Sequence, residues 1–157
     1  GGLDVAGQLP RMKDVVTRLK DSGLIVSAFI DADRAQVEAC RDAGFDVCEV
    51  HTGPWGEAFA RCGGDPRRPE LVAELERVTA AGEAIRAAGM RFNAGHALNY
   101  HNVGPIAAMP GIEELHIGHA IVSRAIYTGL RTAVSEMKAL MDRAGAHGSG
   151  LGSGRAE

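Results

Sequence analysis

Short apolar segments that predict β-strands alternate with longer helical segments along almost all of the 157-residue chain. The strand segments are residues 24–30, 45–50, 90–94 and 113–117. The helical segments are residues 10–22, 34–43, 69–88, 102–109, a short one that starts at Ala120, and 129–144. Strands that alternate with helices in this way are typical of βαβ units. The sequence therefore predicts an α/β fold built on a parallel sheet.

Turn and capping residues mark the segment boundaries. Asp33 and Gln36 stand three residues apart, a spacing that predicts a capping box at the start of helix 34–43. Residues 51–68 are rich in Gly, Pro and Arg and are predicted to form a polar loop. We expect four side chains of that loop to lie at the surface: Trp55, Arg61, Arg67 and Arg68. The Gly/Ser-rich residues 145–157 are predicted to be a disordered tail.

Polar or chemically versatile residues lie at or just after the end of every predicted strand. These residues are Asp31, Asp33, Glu49, His51, Thr52, Asn93, His96, Gly118 and His119. No strand is followed by the GxGxxG turn of a dinucleotide-binding sheet. Functional residues at the carboxyl ends of all strands favour a TIM (β/α)8 barrel, which needs about 250 residues. The four βα units therefore predict the C-terminal half of such a barrel, with parallel strands in chain order and helices on the outer face.

Composition excludes several classes of protein. Seventeen Lys and Arg residues against twenty Asp and Glu residues give a net charge of −3, which argues against a nucleic-acid partner. No apolar run reaches the roughly 18–20 residues of a membrane span. The three cysteines form no CxxC pair and are odd in number, so neither a disulfide framework nor a zinc knuckle is indicated. A cytoplasmic setting without a membrane partner is expected.

Three of the six histidines follow strand ends. His51, His96 and His119 are expected to converge on one mouth of the barrel, where a histidine suits acid–base chemistry. His116 falls within the last predicted strand and His147 within the tail, so both are interpreted as structural or incidental.

Two further features point to a site at the same mouth. Glu49 and His51 stand two positions apart, so in a strand their side chains share a face, and Thr52 follows directly. Gly118 precedes a helix, and the free N–H groups of a helix N-terminus bind phosphate. A buried ion pair at Glu49 and a simple turn at Gly118 are the competing structural interpretations.

Five motifs in order resemble the pyridoxine 5′-phosphate synthase family. They are GGLDVAGQ (1–8), SAFIDAD (27–33), EVHTG (49–53), NAGHALNYHNV (93–103) and IGHAI (117–121). The resemblance covers residues 1–144, the partial-barrel domain, and only the C-terminal portion of the family's protein. It implies a TIM barrel, assembled as a homo-octamer, that condenses 1-deoxy-D-xylulose 5-phosphate with 3-amino-2-oxopropyl phosphate. The product is pyridoxine 5′-phosphate, and neither a metal nor an organic cofactor is used.

The resemblance also implies roles for individual residues. His96 matches the family's proton donor, and Glu49 matches its transition-state stabiliser. Gly118 and His119 match the segment that binds the aminoketone phosphate. Ala97 stands where the family has a substrate-contacting glycine, so it would be strained if the site needs a positive φ.

Other groups that the family uses lie on earlier strands. They include a second histidine, a glutamate and several substrate-holding residues, and residues 1–9 resemble part of a lid loop. We therefore expect a fragment that is inactive alone and that exposes two sheet edges and an apolar interior face. Two other functions stay open. One is a metal-dependent barrel lyase or hydrolase with Glu49, His51, His96 and His119 as ligands, and the other is a non-catalytic phosphate-binding half-barrel.

Overall fold

The structure, a computed structural model, describes residues 1–148. Its strands are β1 (Ser27–Ile30), β2 (Val47–His51), β3 (Arg91–Gly95) and β4 (Ile112–His116). Its helices are α1 (Leu9–Asp21), α2 (Arg34–Ala43), α3 (Gly53–Arg61), α4 (Pro69–Ala87), α5 (Val103–Ala107), α6 (His119–Thr128) and α7 (Leu130–Gly148), with a 3₁₀ turn at Ala6–Gln8. Helix α7 extends four residues into the predicted tail, whose residues 149–157 lie outside the described residues.

The four strands form one parallel sheet in the order β1-β2-β3-β4. The predicted α/β class with four parallel βα units in chain order is confirmed, and this is the arrangement of half a TIM barrel. Because all strands run the same way, their carboxyl ends lie at one edge of the sheet. The register aligns His51 with Gly95 and Gly95 with His116 at that edge.

One face of the sheet packs against helices and forms the core. Ile30, Val50 and Ala94 are fully buried there, and Phe92 is 1% exposed. These side chains alternate along their strands with those of the other face. Helix α4 packs on β2 and β3, and α2 packs on β1.

The opposite face of the sheet is mainly polar, so the expectation of an apolar interior face is wrong. Phe29, Glu49, Asn93 and Glu114 form one row across the four strands. Asn93 Nδ2 donates to Glu114 Oε2 at 3.3 Å, and Arg91 forms ion pairs with Glu114 and its neighbour on β4. Polar side chains on the inner face of a barrel are suited to binding a polar ligand.

Helix α3 occupies half of the segment that was predicted to be a loop. Its first turn contains Gly53 and Pro54, two residues that resemble loop punctuation but are tolerated at a helix start. Trp55 is 2% exposed rather than at the surface, and its indole Nε1 donates to the Asn102 carbonyl oxygen at 3.1 Å. Trp55 and Ala58 are apolar and stand at helical spacing, which is typical of a helix. The prediction of a loop gave more weight to the turn residues Gly53 and Pro54.

The predicted capping box at α2 is also wrong in part. Asp33 does cap the helix, because its carboxylate accepts the Ala35 backbone N–H at 2.8 Å. The Gln36 side chain instead accepts the N–H groups of Val5 and Ala6 at 2.8 and 3.1 Å. The Gln36 side chain therefore binds the N-terminal segment instead of the backbone N–H of Asp33.

Within residues 1–148, no helix combines the length and the apolar character needed to cross a membrane.

Candidate active site

A cavity of about 550 Å³ opens at the carboxyl edge of the sheet, between the side chains of Phe29 and Glu49 and the loops that follow β3 and β4. Five residues that the sequence singled out line it together: Glu49, His96, Ala97, Gly118 and His119. The structure thus brings together most of the predicted site from three separate βα units. His51 and Thr52 do not line this cavity.

Glu49 presents its carboxylate to the cavity from β2, with its side chain 17% exposed. Its Oε2 lies 2.6 Å from His116 Nδ1. Gly95 makes room for the other carboxylate oxygen, because a Cβ at Gly95 would collide with Glu49 Oε1. A carboxylate held in this way can stabilise positive charge or accept a proton near the cavity.

His116 is a site residue that the sequence analysis missed. It was interpreted as structural or incidental, yet it lines the cavity and contacts Glu49 directly. Its ring also lowers the pKa of Glu114, the carboxylate two residues earlier, with Arg91 as the second cause. The alternation of β4 could have revealed His116, because it places this ring on the same face as Glu49.

His96 and Ala97 form a turn with unusual backbone geometry directly after β3. Their φ angles are +77° and +58°, in the left-handed region that non-glycine residues seldom adopt. Asn102 Nδ2 donates to the Ala97 carbonyl oxygen at 3.0 Å and helps to hold the turn. Strain of this kind costs about 1–3 kcal/mol per residue and is typical of functional sites. The strain foreseen for Ala97 is therefore present.

Thr52 supports this turn from behind rather than lining the cavity. Its side chain is fully buried, and its Oγ1 lies 2.7 Å from the Gly95 carbonyl oxygen and 2.6 Å from that of His96. A single hydroxyl proton can satisfy one of these two acceptors at a time. Thr52 thus helps to hold the backbone of His96, and with it the start of the His96 side chain, in one position.

His51 lies beside the cavity and contacts His96 with its ring. The two ring centroids are 4.9 Å apart, and His51 Nδ1 lies 2.9 Å from Asp31 Oδ1. His51 lines a neighbouring cavity of about 400 Å³ together with Asp31 and Arg77. The pKa of Asp31 is lowered, first by the hydrogen bond from the Gly2 backbone N–H and then by His51.

The N-terminus of α6 opens onto the main cavity. Gly118 is the N-cap, and no side chain caps the helix there. Gly118 and His119 both line the cavity, so the first N–H groups of α6 begin at its wall. Because such N–H groups and the helix dipole attract anions, this end of the cavity suits a phosphate group.

The acidic and histidine side chains do not converge as a metal site. Among residues 1–148, no group of three or more His, Cys, Asp or Glu side chains is arranged to hold a metal ion. Glu49, His51, His96 and His119 were the ligands required by the metal-dependent alternative. Their donor atoms pair with other partners instead, Glu49 with His116 and His51 with Asp31.

Comparison with known proteins adds an independent observation. A family model described as "Pyridoxal phosphate biosynthesis protein PdxJ" matches residues 1–143. A pyridoxine 5′-phosphate synthase of Aromatoleum aromaticum is 61% identical over 144 residues, which cover 92% of this chain and 57% of that protein.

Two further proteins with the same name match in the same way. The one from an Azoarcus species is 58% identical over 146 residues, covering 93% of this chain and 59% of its own length. The one from Dechloromonas aromatica is 55% identical over 148 residues, covering 94% and 59%. The chain thus spans somewhat less than three fifths of the length of these relatives.

Proposed function

Because the chain belongs to the family of the pyridoxal phosphate biosynthesis protein PdxJ, we propose that it supplies the C-terminal half of a pyridoxine 5′-phosphate synthase active site. The observation that carries this proposal is one cavity in which a histidine, a carboxylate and an uncapped helix N-terminus meet. The three relatives described above carry the name of that enzyme.

In the proposed reaction, 1-deoxy-D-xylulose 5-phosphate and 3-amino-2-oxopropyl phosphate condense to pyridoxine 5′-phosphate, with release of phosphate and water. The phosphate of the aminoketone binds at Gly118 and His119, where the first N–H groups of α6 compensate its charge. The Ala97 backbone contributes to the same subsite. A phosphate at this end of the cavity places the reacting carbons of the substrate toward His96 and Glu49.

His96 donates a proton during the condensation, and Glu49 stabilises positive charge that develops on the reacting atoms. A positioned acid–base group typically contributes about 10²–10⁴-fold to the rate. The short contact between Glu49 and His116 keeps the carboxylate in one orientation before substrate binds. This preorganisation allows the carboxylate to stabilise developing charge without reorienting during the reaction.

The 157-residue chain on its own is proposed to be catalytically silent. The resemblance assigns a second histidine and a glutamate of the reaction to strands outside this segment, and proton transfers that depend on them cannot occur without them. The complete protein is proposed to be a cytoplasmic homo-oligomer that acts on small phosphorylated substrates.

A chimaera tests the function of the segment directly. The matched 144 residues replace the corresponding part of the Aromatoleum aromaticum relative, which is 61% identical there. Formation of pyridoxine 5′-phosphate from the two substrates is then measured by chromatography. We expect a rate within about tenfold of the parent protein, because the cavity residues of the two proteins are expected to be equivalent.

The parent protein and a chimaera with Glu49→Gln are the matched controls. Thermal unfolding of each protein verifies that it is folded. A folded chimaera that forms no pyridoxine 5′-phosphate, while the parent does, would overturn the proposal. Phosphate binding by such an inactive chimaera would favour the non-catalytic phosphate-binding function instead.

A further inference from the structure

A single carboxylate oxygen joins the N-terminal segment to the histidine pair of the candidate site. Asp31 Oδ1 accepts the Gly2 backbone N–H at 2.9 Å and also lies 2.9 Å from His51 Nδ1. Asp31 directly follows β1, so its position is fixed by the sheet. The same stretch of chain is held by a second bond, from the Leu3 N–H to the Phe29 carbonyl oxygen at 2.7 Å.

Packing contacts confine the His51 ring, although one side of it faces the adjoining cavity. Its side chain is only 12% exposed, and Phe29 meets it edge-on with centroids 5.1 Å apart. A Cβ at Gly53 would collide with His51 Nε2, so the first residue of α3 leaves just enough space for this ring. His51 therefore has one orientation, set by packing and by the bond to Asp31.

The bond to Asp31 also decides where the His51 ring carries a proton. An ionised carboxylate only accepts hydrogen bonds, so Nδ1 must be the protonated nitrogen. The other charged groups around this ring are Asp33, Glu74 and Arg77, which line the adjoining cavity. Among residues 1–148, none of these three groups forms a hydrogen bond with His51, so the Asp31 carboxylate sets this tautomer.

His51 in turn packs against His96, with the two ring centroids 4.9 Å apart at an angle of 59°. The His96 backbone lies in a left-handed turn, and its ring also lies near Phe29, with centroids 6.3 Å apart. A Cβ at Gly53 would also come within 3.2 Å of His96 Cδ2, so both rings share the space that this glycine leaves open.

We propose that Asp31 and His51 are positioning residues for His96: the Asp31 carboxylate fixes the His51 ring, and that ring holds the His96 ring toward the cavity. The proposal rests on the proposed function, in which His96 is the proton donor. Neither Asp31 nor His51 touches the substrate in this arrangement. They act by keeping His96 in the orientation in which its proton faces the bound aminoketone.

The test begins with a readout that does not depend on activity. The histidine-labelled chimaera is studied by long-range ¹H–¹⁵N NMR, and ring signals are assigned with His51→Gln and His96→Asn variants. We expect an Nδ1-protonated His51 ring in the unaltered chimaera. In Asp31→Asn the amide can present either its oxygen or its NH₂ to Nδ1, so the His51 signals should shift to a mixture and the His96 signals should move with them.

Asp33→Asn is the matched control, because Asp33 lies two residues away and contacts the Ala35 N–H rather than a histidine. It should leave both rings unchanged. Asp31→Asn spectra identical to those of the unaltered chimaera would overturn the proposal, and so would equal changes in Asp33→Asn.

The second measurement uses the active chimaera. Asp31→Asn should lower kcat by about 10- to 100-fold, the cost typical of losing a partner that orients a functional histidine, and should leave KM within about twofold. Asp33→Asn should change neither. A fall in affinity alone would contradict a positioning role. An inactive chimaera with the expected NMR shifts would refute the proposed function but not the coupling between Asp31, His51 and His96.

Discussion

Ala97 is a non-glycine residue with a φ of +58°, and the preceding His96 has a φ of +77°. The left-handed conformation costs an alanine roughly 1 kcal/mol that glycine does not incur. We therefore expect Ala97→Gly to raise the free energy of unfolding by up to about 1 kcal/mol, offset in part by the greater freedom of glycine in the unfolded chain. Urea denaturation measures this change.

Ala94→Gly is the matched control for Ala97→Gly. Ala94 lies in β3 and is fully buried, and its φ is not among the positive ones. Glycine should destabilise the strand there by about 1 kcal/mol. Equal losses of stability at both positions would show that Ala97 is not strained.

The sequence predicted most residues of the site because strand ends and histidines are visible in it. Glu49, His96, Gly118 and His119 do line one cavity. His116 was missed because it falls within the last predicted strand rather than after it, and only its contact with Glu49 across the sheet shows its role. Thr52 was placed in the site by proximity alone, and its inward orientation depends on the turn after β3.

At the scale of single elements, Asp46 links α1 to the first two strands. Its carboxylate pairs with Lys20 Nζ at 2.7 Å and accepts the Val26 backbone N–H at 2.9 Å. Lys20 first, and then the Val26 N–H, hold the pKa of Asp46 below its ordinary value of 3.8. A carboxylate with a lowered folded-state pKa stabilises the fold above that ordinary value, and this stability disappears as the pH falls through the folded-state pKa.

Asp46→Asn should therefore destabilise the chain near neutral pH and have little effect in strong acid. Because the pair is partly exposed, we expect a loss of no more than about 1 kcal/mol at neutral pH. Urea unfolding at both pH values measures it. Asp14→Asn is the control, since Asp14 is exposed and lies 3.9 Å from its helical neighbour Arg18. A cost of Asp46→Asn that persists unchanged in acid would refute the assigned ion pair.

Helix α4 approaches β3 most closely at Gly82. A Cβ there would lie 2.7 Å from Phe92 Cζ, and Phe92 is almost fully buried. Overpacking costs about 1–3 kcal/mol, while alanine gains about 1 kcal/mol over glycine in a helix. We expect Gly82→Ala to lower the free energy of unfolding by about 1 kcal/mol.

Gly104→Ala in α5 provides the comparison for Gly82→Ala. A Cβ at Gly104 would meet nothing within 4 Å. Helix propensity alone then predicts a small gain in stability, below about 1 kcal/mol. Both variants are compared by thermal unfolding, and a stabilising Gly82→Ala would mean that α4 does not pack on Phe92 as described.

Elements with a clear hydrophobic period were predicted within about four residues of their bounds, and α2 was predicted without any error. Helix α3 was not, because Gly53 and Pro54 at its start are also the residues of turns. The apolar strand residues predicted the core face correctly. The polar inner face was not predicted, because the alternation of side chains along a strand does not show which of its two faces the helices cover.

At the scale of the whole molecule, no strand covers the two outer edges of the sheet within residues 1–148, although the Leu3 N–H donates to the Phe29 carbonyl oxygen at the edge of β1. β1 and β4 each pair on one side only. Several apolar side chains of α6 and α7 are exposed as well: Val122, Ile126, Tyr127, Leu130 and Val134. Unpaired strand edges and contiguous apolar surface favour association with another chain.

We therefore expect the 157-residue chain alone to elute from size-exclusion chromatography as an oligomer or aggregate. The part of the relative that the chain does not match, supplied in trans, should reduce this association because it provides partners for both edges. A sharp monomer peak at all concentrations would show that these edges are protected in solution.

The proton donor assignment of His96 is the central claim, and the chimaera tests it in one measurement of kcat. His96→Asn suits this test because asparagine tolerates a positive φ, so the turn should keep its shape. His101→Asn is the control on the same loop, since His101 is exposed and does not line the Glu49 cavity. We predict that His96→Asn lowers kcat for pyridoxine 5′-phosphate formation by about 10²–10⁴-fold with phosphate binding retained, and that His101→Asn leaves it unchanged. A His96→Asn chimaera that turns over at the unaltered rate would contradict the account.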